Sequence, residues 1–140
     1  MKFDKFTVKV QEALATSQQT AMARSHTMMT PLHLLYVLLD DEEGLGVQIL
    51  KKIGANVTRI QSMTESELNR LPKGSVGTQL MPDPAYTQVI LDAQNRADKM
   101  GDDYLSIEHL LLSLADIKSD VKEILSVNSV TVKQIEQAVE

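Results

Sequence analysis

The stretch Thr30–Leu39, TPLHLLYVLL, decides the fold because it returns 76 residues later as Ser106–Ala115, SIEHLLLSLA. His33 falls on His109, Leu34 on Leu110, Leu35 on Leu111 and Leu38 on Leu114. Each copy opens with a hydroxyl residue, whose side-chain oxygen can accept from the free N–H groups of a first helical turn. Pro31 suits the first helical position of the first copy, because the N–H it lacks would have had no partner there. The residues after it are apolar nearly all round, the pattern of a buried central helix rather than a surface one.

The echo extends outward on both sides. At the same spacing Thr7 falls on Asp83, Val10 on Tyr86, Ala13 on Val89, Leu14 on Ile90 and Ala21 on Ala97. After the central helix one residue drops out and the spacing becomes 75, so that Ile49 matches Ile124, Leu50 Leu125, Asn56 Thr131, Val57 Val132 and Ile60 Ile135. A shift of one residue placed in a loop fits a duplicated unit. The periodicity predicts helices over Phe6–Ser25, Pro31–Asp40, Leu45–Ile53 and from Asn56 to about Asn69, then Pro84–Met100, Ile107–Ala115, a seventh capped by Ser119 or Asp120, and an eighth from Thr131. Gly54 is placed as a left-handed C-cap. Residues 71–82, LPKGSVGTQLMP, hold two Pro and two Gly without periodicity and read as a linker. The expectation is an all-α domain of eight helices in two pseudo-symmetric four-helix repeats, 1–70 and 83–140, joined by that Pro/Gly-containing linker. No stretch competes as a strand. Each central helix brings four or five large aliphatics, and a unit of this size is marginal alone, so the two are expected to pack together.

Composition removes several function classes. With no cysteine there are no disulfides, no thiolate chemistry and no cysteine-based zinc site, which fits a reducing compartment. MKFDKF carries charges in place of an apolar signal core, and no apolar run is long enough to span a bilayer, so a cytoplasmic location is expected. Residues 1–76 carry nine Lys/Arg against eight Asp/Glu, and residues 77–140 five against eleven, giving +1 and −6. Such a chain is a poor nucleic-acid binder. There is no G-x-x-x-x-G-K-[ST] phosphate loop, no G-x-S-x-G elbow and no H-E-x-x-H, so neither catalysis nor a metal site is expected. His33 and His109, third in their helices, read as structural. Asp40–Gly44 is an acidic loop without calcium-ligand spacing. Asp102 and Glu108 can be imagined as an acid–base pair, yet Asp102 suits a turn and Glu108 a helix N-terminus. The residues alone describe a duplicated helical module that binds protein through a groove or an apolar patch.

The pattern F-T-x-K-x-Q-E-A-L at Phe6–Leu14, the doubled H-L-L, GDDYLSIEHLLL at Gly101–Leu112 and LNRLP at Leu68–Pro72 resemble the Clp N-terminal domain, the linker being most similar to the ClpB branch of AAA+ disaggregases. The resemblance covers the whole chain. It implies a non-catalytic domain that contacts unfolded or aggregated polypeptide before threading. ATP, Mg and the homohexamer contacts would belong to ATPase modules outside this chain, and the full-length protein would work with the DnaK system. The nearest rivals are an adaptor-docking domain of a protease-linked ClpA or ClpC type and a free-standing helical interaction module. By the same resemblance Thr7, Asp102 and Glu108 are the substrate-handling positions. A leucine-lined peptide groove in some ClpB domains corresponds to Ile90, Asp92, Arg96 and His109, of which only Ile90 is aliphatic. Leu32 stands in the first repeat where Glu108 stands in the second, against the twin phosphoarginine pockets of the ClpC branch.

Overall fold

The computed structural model describes residues 5–75 and 77–140. Eight helices are present among the described residues: α1 (Val8–Ala23), α2 (Pro31–Asp40), α3 (Leu45–Ile53), α4 (Val57–Leu68), α5 (Pro84–Lys99), α6 (Ile107–Asp116), α7 (Asp120–Val127) and α8 (Val132–Val139). Their starts follow the expected caps. Thr7 accepts from the Val10 N–H at 3.2 Å, Asn56 from Arg59 at 3.0 Å, Asp83 from Ala85 at 3.1 Å, Ser119 from Val121 at 3.1 Å and Thr131 from Gln134 at 3.3 Å. The central helices α2 and α6 are the most completely buried elements. Leu34, Leu35, Leu110, Leu111 and Leu114 have no exposed surface, and one contiguous core runs through both halves. α3 packs on α6 and α8, and its counterpart α7 packs on α2 and α4, so each half inserts a helix into the other.

The first helix is two residues shorter at each end than its periodicity suggests. Phe6 leaves it to pair, in parallel, with Leu105. The Thr7 N–H donates to the Leu105 carbonyl at 3.0 Å and the Leu105 N–H to the Lys5 carbonyl at 2.8 Å. The same crossing occurs in reverse. β1 (Met28–Met29) pairs in parallel with β2 (Met81–Pro82), and the Asp83 N–H donates to the Met29 carbonyl at 2.8 Å. Residues 6 and 82, and residues 29 and 105, are related by the repeat spacing. The segment entering α1 therefore lies beside the segment entering α6, and the segment entering α5 beside the one entering α2. These two-residue pairings escape periodicity because their partners lie far apart in sequence and neither is long enough to alternate. They also place Met81 and Pro82, read as linker, in a defined strand pair.

Two backbone corners repeat as well. Ser25 (φ 60°) is matched by Gly101 (φ 74°), and Gly54 (φ 88°) by Ser129 (φ 63°). Each unit therefore needs left-handed backbone after its first and third helices, and glycine fills that need once per corner.

The third residue of each central helix closes its own N-terminus. His33 Nδ1 accepts from the Thr30 N–H at 2.9 Å, and His109 Nδ1 from the Ser106 N–H at 2.9 Å. Histidine thus takes the place usually held by Glu or Gln in a reciprocal cap. With Nδ1 accepting, the proton sits on Nε2. In the first half His33 Nε2 donates to His26 Nδ1 at 2.8 Å, the two rings meeting edge-on at 62°. Burial holds both rings below the usual histidine range, His33 down to about 4, and the Arg24 and Lys73 charges push His26 further in that direction. A proton on His26 Nδ1 would face the His33 N–H and break the bond.

Acid therefore weakens the fold. Between about pH 6.5 and 4 the unfolded histidines bind protons that the folded pair refuses, so stability is full above that window and declines as pH falls through it. The urea midpoint is expected to drop on acidification across this window. The drop should shrink in His26→Gln, which keeps an acceptor for His33 but cannot titrate. Equal pH slopes in the two proteins would contradict the assignment.

Candidate functional site

Of the four expected site residues, Thr7 sits at the crossing of 5–7 over Leu105, while Asp102 and Glu108 flank Leu105 in sequence and meet at His109. Thr7 caps α1 at the crossing itself. Asp102 follows the left-handed Gly101, its N–H donating to the Ala97 carbonyl at 2.9 Å, and Glu108 lies in the first turn of α6. The Asp102 carboxylate accepts from His109 Nε2 at 2.8 Å, and potential ligand atoms of Asp102, Glu108 and His109 all lie within 4.8 Å of one another. His109 is only 1% exposed and both its ring nitrogens are engaged, Nδ1 by Ser106 and Nε2 by Asp102. A cation taken up there would first have to displace the Asp102 bond.

Asp102 is the repeat mate of His26, so the same ring nitrogen of the capping histidine meets a carboxylate in one half and an imidazole in the other. Asp102 therefore has a positioning role, because it holds His109, which closes α6. The carboxylate is also open to solvent, and Glu108 is half-buried, which is the wrong setting for an acid–base pair on the floor of a closed pocket.

Ile90 is elsewhere. At 3% exposure it belongs to the core, on the stripe Tyr86, Val89/Ile90, Ala93 and Ala97, so helical periodicity outweighs the groove correspondence and Ile90 offers no free surface to a ligand. The remaining groove positions are also occupied. Asp92 accepts from Ser113 Oγ at 2.9 Å and Arg96 Nε at 2.7 Å, and Arg96 Nη2 continues to Asp116.

An open cleft of about 690 Å³ instead lies on the Thr7 side. Its walls are the first half of α1, the end of α2, the acidic loop after it, the start of α3 and the start of α6, with Thr7, Ser106 and Ile107 along one edge. Leu38, Val37, Ala13 and Ile107 give it apolar lining, and Leu45 stands exposed at its lip. Sequence reading missed the cleft because its walls come from four helices that only the tertiary packing assembles. The acidic loop was the available signal.

Comparison with known proteins places this geometry. The family model of the Clp repeat (R) N-terminal domain matches residues 5–128. The chaperone protein ClpB of Propionibacterium freudenreichii is 34% identical over 140 residues, covering 99% of this chain and 16% of that protein. ClpB of Brucella suis is 35% identical over 133 residues, covering 94% and 15%. The chain thus spans about a sixth of the length of these relatives. Among solved structures, the Hsp104 N-terminal domain from Candida albicans superposes with a TM-score of 0.85 at 20% identity, covering 97% of this chain and 90% of that one. A ClpV N-domain in complex with a VipB peptide superposes with 0.75 at 16% identity, covering 96% and 84%.

The local roles of Thr7 and Asp102 make a stability prediction. Thr7→Ala, which removes a cap, is expected to lower unfolding free energy by about 1 kcal/mol. Asp102→Ala, which leaves the buried His109 N–H without its carboxylate, is expected to cost a similar amount, about 1 kcal/mol. Thr7→Ser and Asp102→Asn should restore most of it. Urea unfolding of the four variants checks this, and unchanged midpoints for both alanine variants would show that neither side chain supports the fold.

Proposed function

We infer the function from the chain's membership of the Clp repeat (R) N-terminal domain family: it is the N-terminal substrate-contacting domain of a ClpB-type disaggregase. The observation that carries this reading is the 34% identity to a ClpB chaperone running over 99% of the chain. On this reading, which rests on the family match, the domain itself is non-catalytic and binds polypeptide. ATP and Mg, the hexamer contacts and the threading pore belong to the larger part of the protein that the relatives possess and this chain does not. Cooperation with the DnaK system and a cytoplasmic setting are part of the same proposal. Among the described residues, no helix is long and apolar enough to cross a membrane.

Thr7, Asp102 and Glu108 are proposed as the residues through which client chains are handled, with Ile90 supporting them from the core. Thr7 lines an open, partly apolar cleft, and Asp102 and Glu108 lie together at His109; this supports the reading, since unfolded chains present apolar side chains and free backbone together. A second reading draws on the ClpV N-domain, solved with a VipB peptide: a fold of this kind can dock one defined segment of a partner. In that case the domain serves as an adaptor platform rather than a general client binder.

An NMR titration of the chain with a permanently unfolded polypeptide separates the two. Amide shifts are expected at Thr7, Asp102, Glu108 and along the cleft. An unperturbed spectrum at millimolar polypeptide, with the fold intact, would remove the client-binding reading and leave the adaptor one.

A further inference from the structure

The two halves differ at one set of matched positions. In the second half Arg96, on α5, lays its guanidinium between Asp92 and Asp116, and Ser113 joins through Asp92. This closes the space between α5 and the end of α6. Applying the repeat spacing of 76, the matching residues of the first half are Thr20 for Arg96, Thr16 for Asp92, Asp40 for Asp116 and Val37 for Ser113. The acid at the end of the central helix is kept, but the arginine that neutralises it is gone. Thr20 turns back on its own helix, its hydroxyl donating to the Thr16 carbonyl at 2.8 Å. The cleft of about 690 Å³ opens at this place, with Thr16, Val37 and Asp40 in its lining.

The electrostatics agree with a missing cation. Asp41 and Glu43 line the same cleft, and among the described residues no cation pairs with Asp40, Asp41 or Glu43. The basic residue on the rim, Lys9, faces Glu12 at 3.8 Å. The carbonyl end of α2 adds partial negative charge at Asp40. Leu38 and Val37 provide apolar surface beside the acids, and Leu45 stands at the lip.

We propose that this cleft takes a peptide segment bearing an arginine or lysine next to an aliphatic residue, the cation pairing with Asp40 as Arg96 pairs with Asp116 within the chain. The proposal rests on the polypeptide-binding reading above and assigns it a substrate class. The second half serves as the template: a guanidinium reaching an acid at the end of the central helix is a contact this fold already makes. An incoming arginine forms the same charge-assisted bond from outside, with its aliphatic neighbour seated on Val37 and Leu38.

The test uses two disordered peptides of equal length, one carrying Arg–Leu pairs and the other citrulline–Leu, which keeps the shape and removes the charge. Followed by NMR titration of the intact chain, the arginine peptide is expected to bind about fivefold more tightly or better, with shifts at Thr16, Val37 and Asp40. Asp40→Asn, which keeps the shape of the side chain and removes its charge, should abolish that preference. Thr20→Arg, which supplies the guanidinium in cis and fills the space as Arg96 does in the second half, should abolish the preference and weaken both peptides. Asp98→Asn, an exposed acid on α5, should change neither, which separates a local pair from net charge. Equal binding of both peptides with shifts outside the cleft would overturn the cationic preference while polypeptide binding stands. Preference surviving in Asp40→Asn would overturn it equally. Binding of neither peptide would remove both readings.

Discussion

Two short extended segments, each crossing from one half of the chain to the other, hold the domain together. Lys5–Thr7 lies against Leu105, and Met81–Pro82 lies against Met28–Met29. Each crossing pairs backbone N–H and carbonyl groups at the entry to a central helix, and at the buried Phe6 and Leu105 those groups would otherwise lack partners away from water. The crossings also set the direction from which α1 and α5 depart. Because α3 and α7 are likewise inserted across the pseudo-symmetry, neither half has a complete core of its own. One arrangement repeated twice therefore yields a single body. The cleft lies against one of these crossings, with Thr7 on one side and Ser106 and Ile107, just after Leu105, on the other.

Within this shared frame the halves carry different chemistry at equivalent places. The capping histidine meets His26 in one and Asp102 in the other. A left-handed corner is serine here and glycine there. Ser17 and Tyr86, both buried, join α1 to α5 through a 2.9 Å hydrogen bond with no polar counterpart at the matched positions Ala93 and Val10. The divergence with functional weight is at the end of the central helices, where an ion-paired network fills one half and an acid-lined opening occupies the other.

The all-helical fold was legible because its signals are local: duplicated Leu positions, hydroxyl and carboxamide caps at Thr7, Asn56, Ser119 and Thr131, and Gly54 as a C-cap. The crossings were not, since pairing Phe6 with Leu105 depends on contacts between distant residues that leave no periodic trace. Thr7, Asp102 and Glu108 were reached through family resemblance; the fold brings Asp102 and Glu108 together at His109 and puts Thr7 at the Leu105 crossing. Ile90 came from the same source and lies in the core, as its own helical stripe had indicated. Ser17 was read as a weak point in the stripe, because its partner Tyr86 is 69 residues away. The cleft was illegible for the same reason, apart from the unneutralised acids of Asp40–Glu43.

The reciprocal crossings make the chain one cooperative unit, and native-state hydrogen exchange tests this most directly. The amides of Thr7, Leu105 and Asp83, which form the two crossings, are expected to exchange with the same opening free energy as Leu35 and Leu111 in the central helices, all through global unfolding. Exchange of Thr7, Leu105 and Asp83 well before the central helices, or central helices of the two halves opening at separate free energies, would contradict it. The domain would then be two units leaning on one another, and the cleft between them an incidental gap.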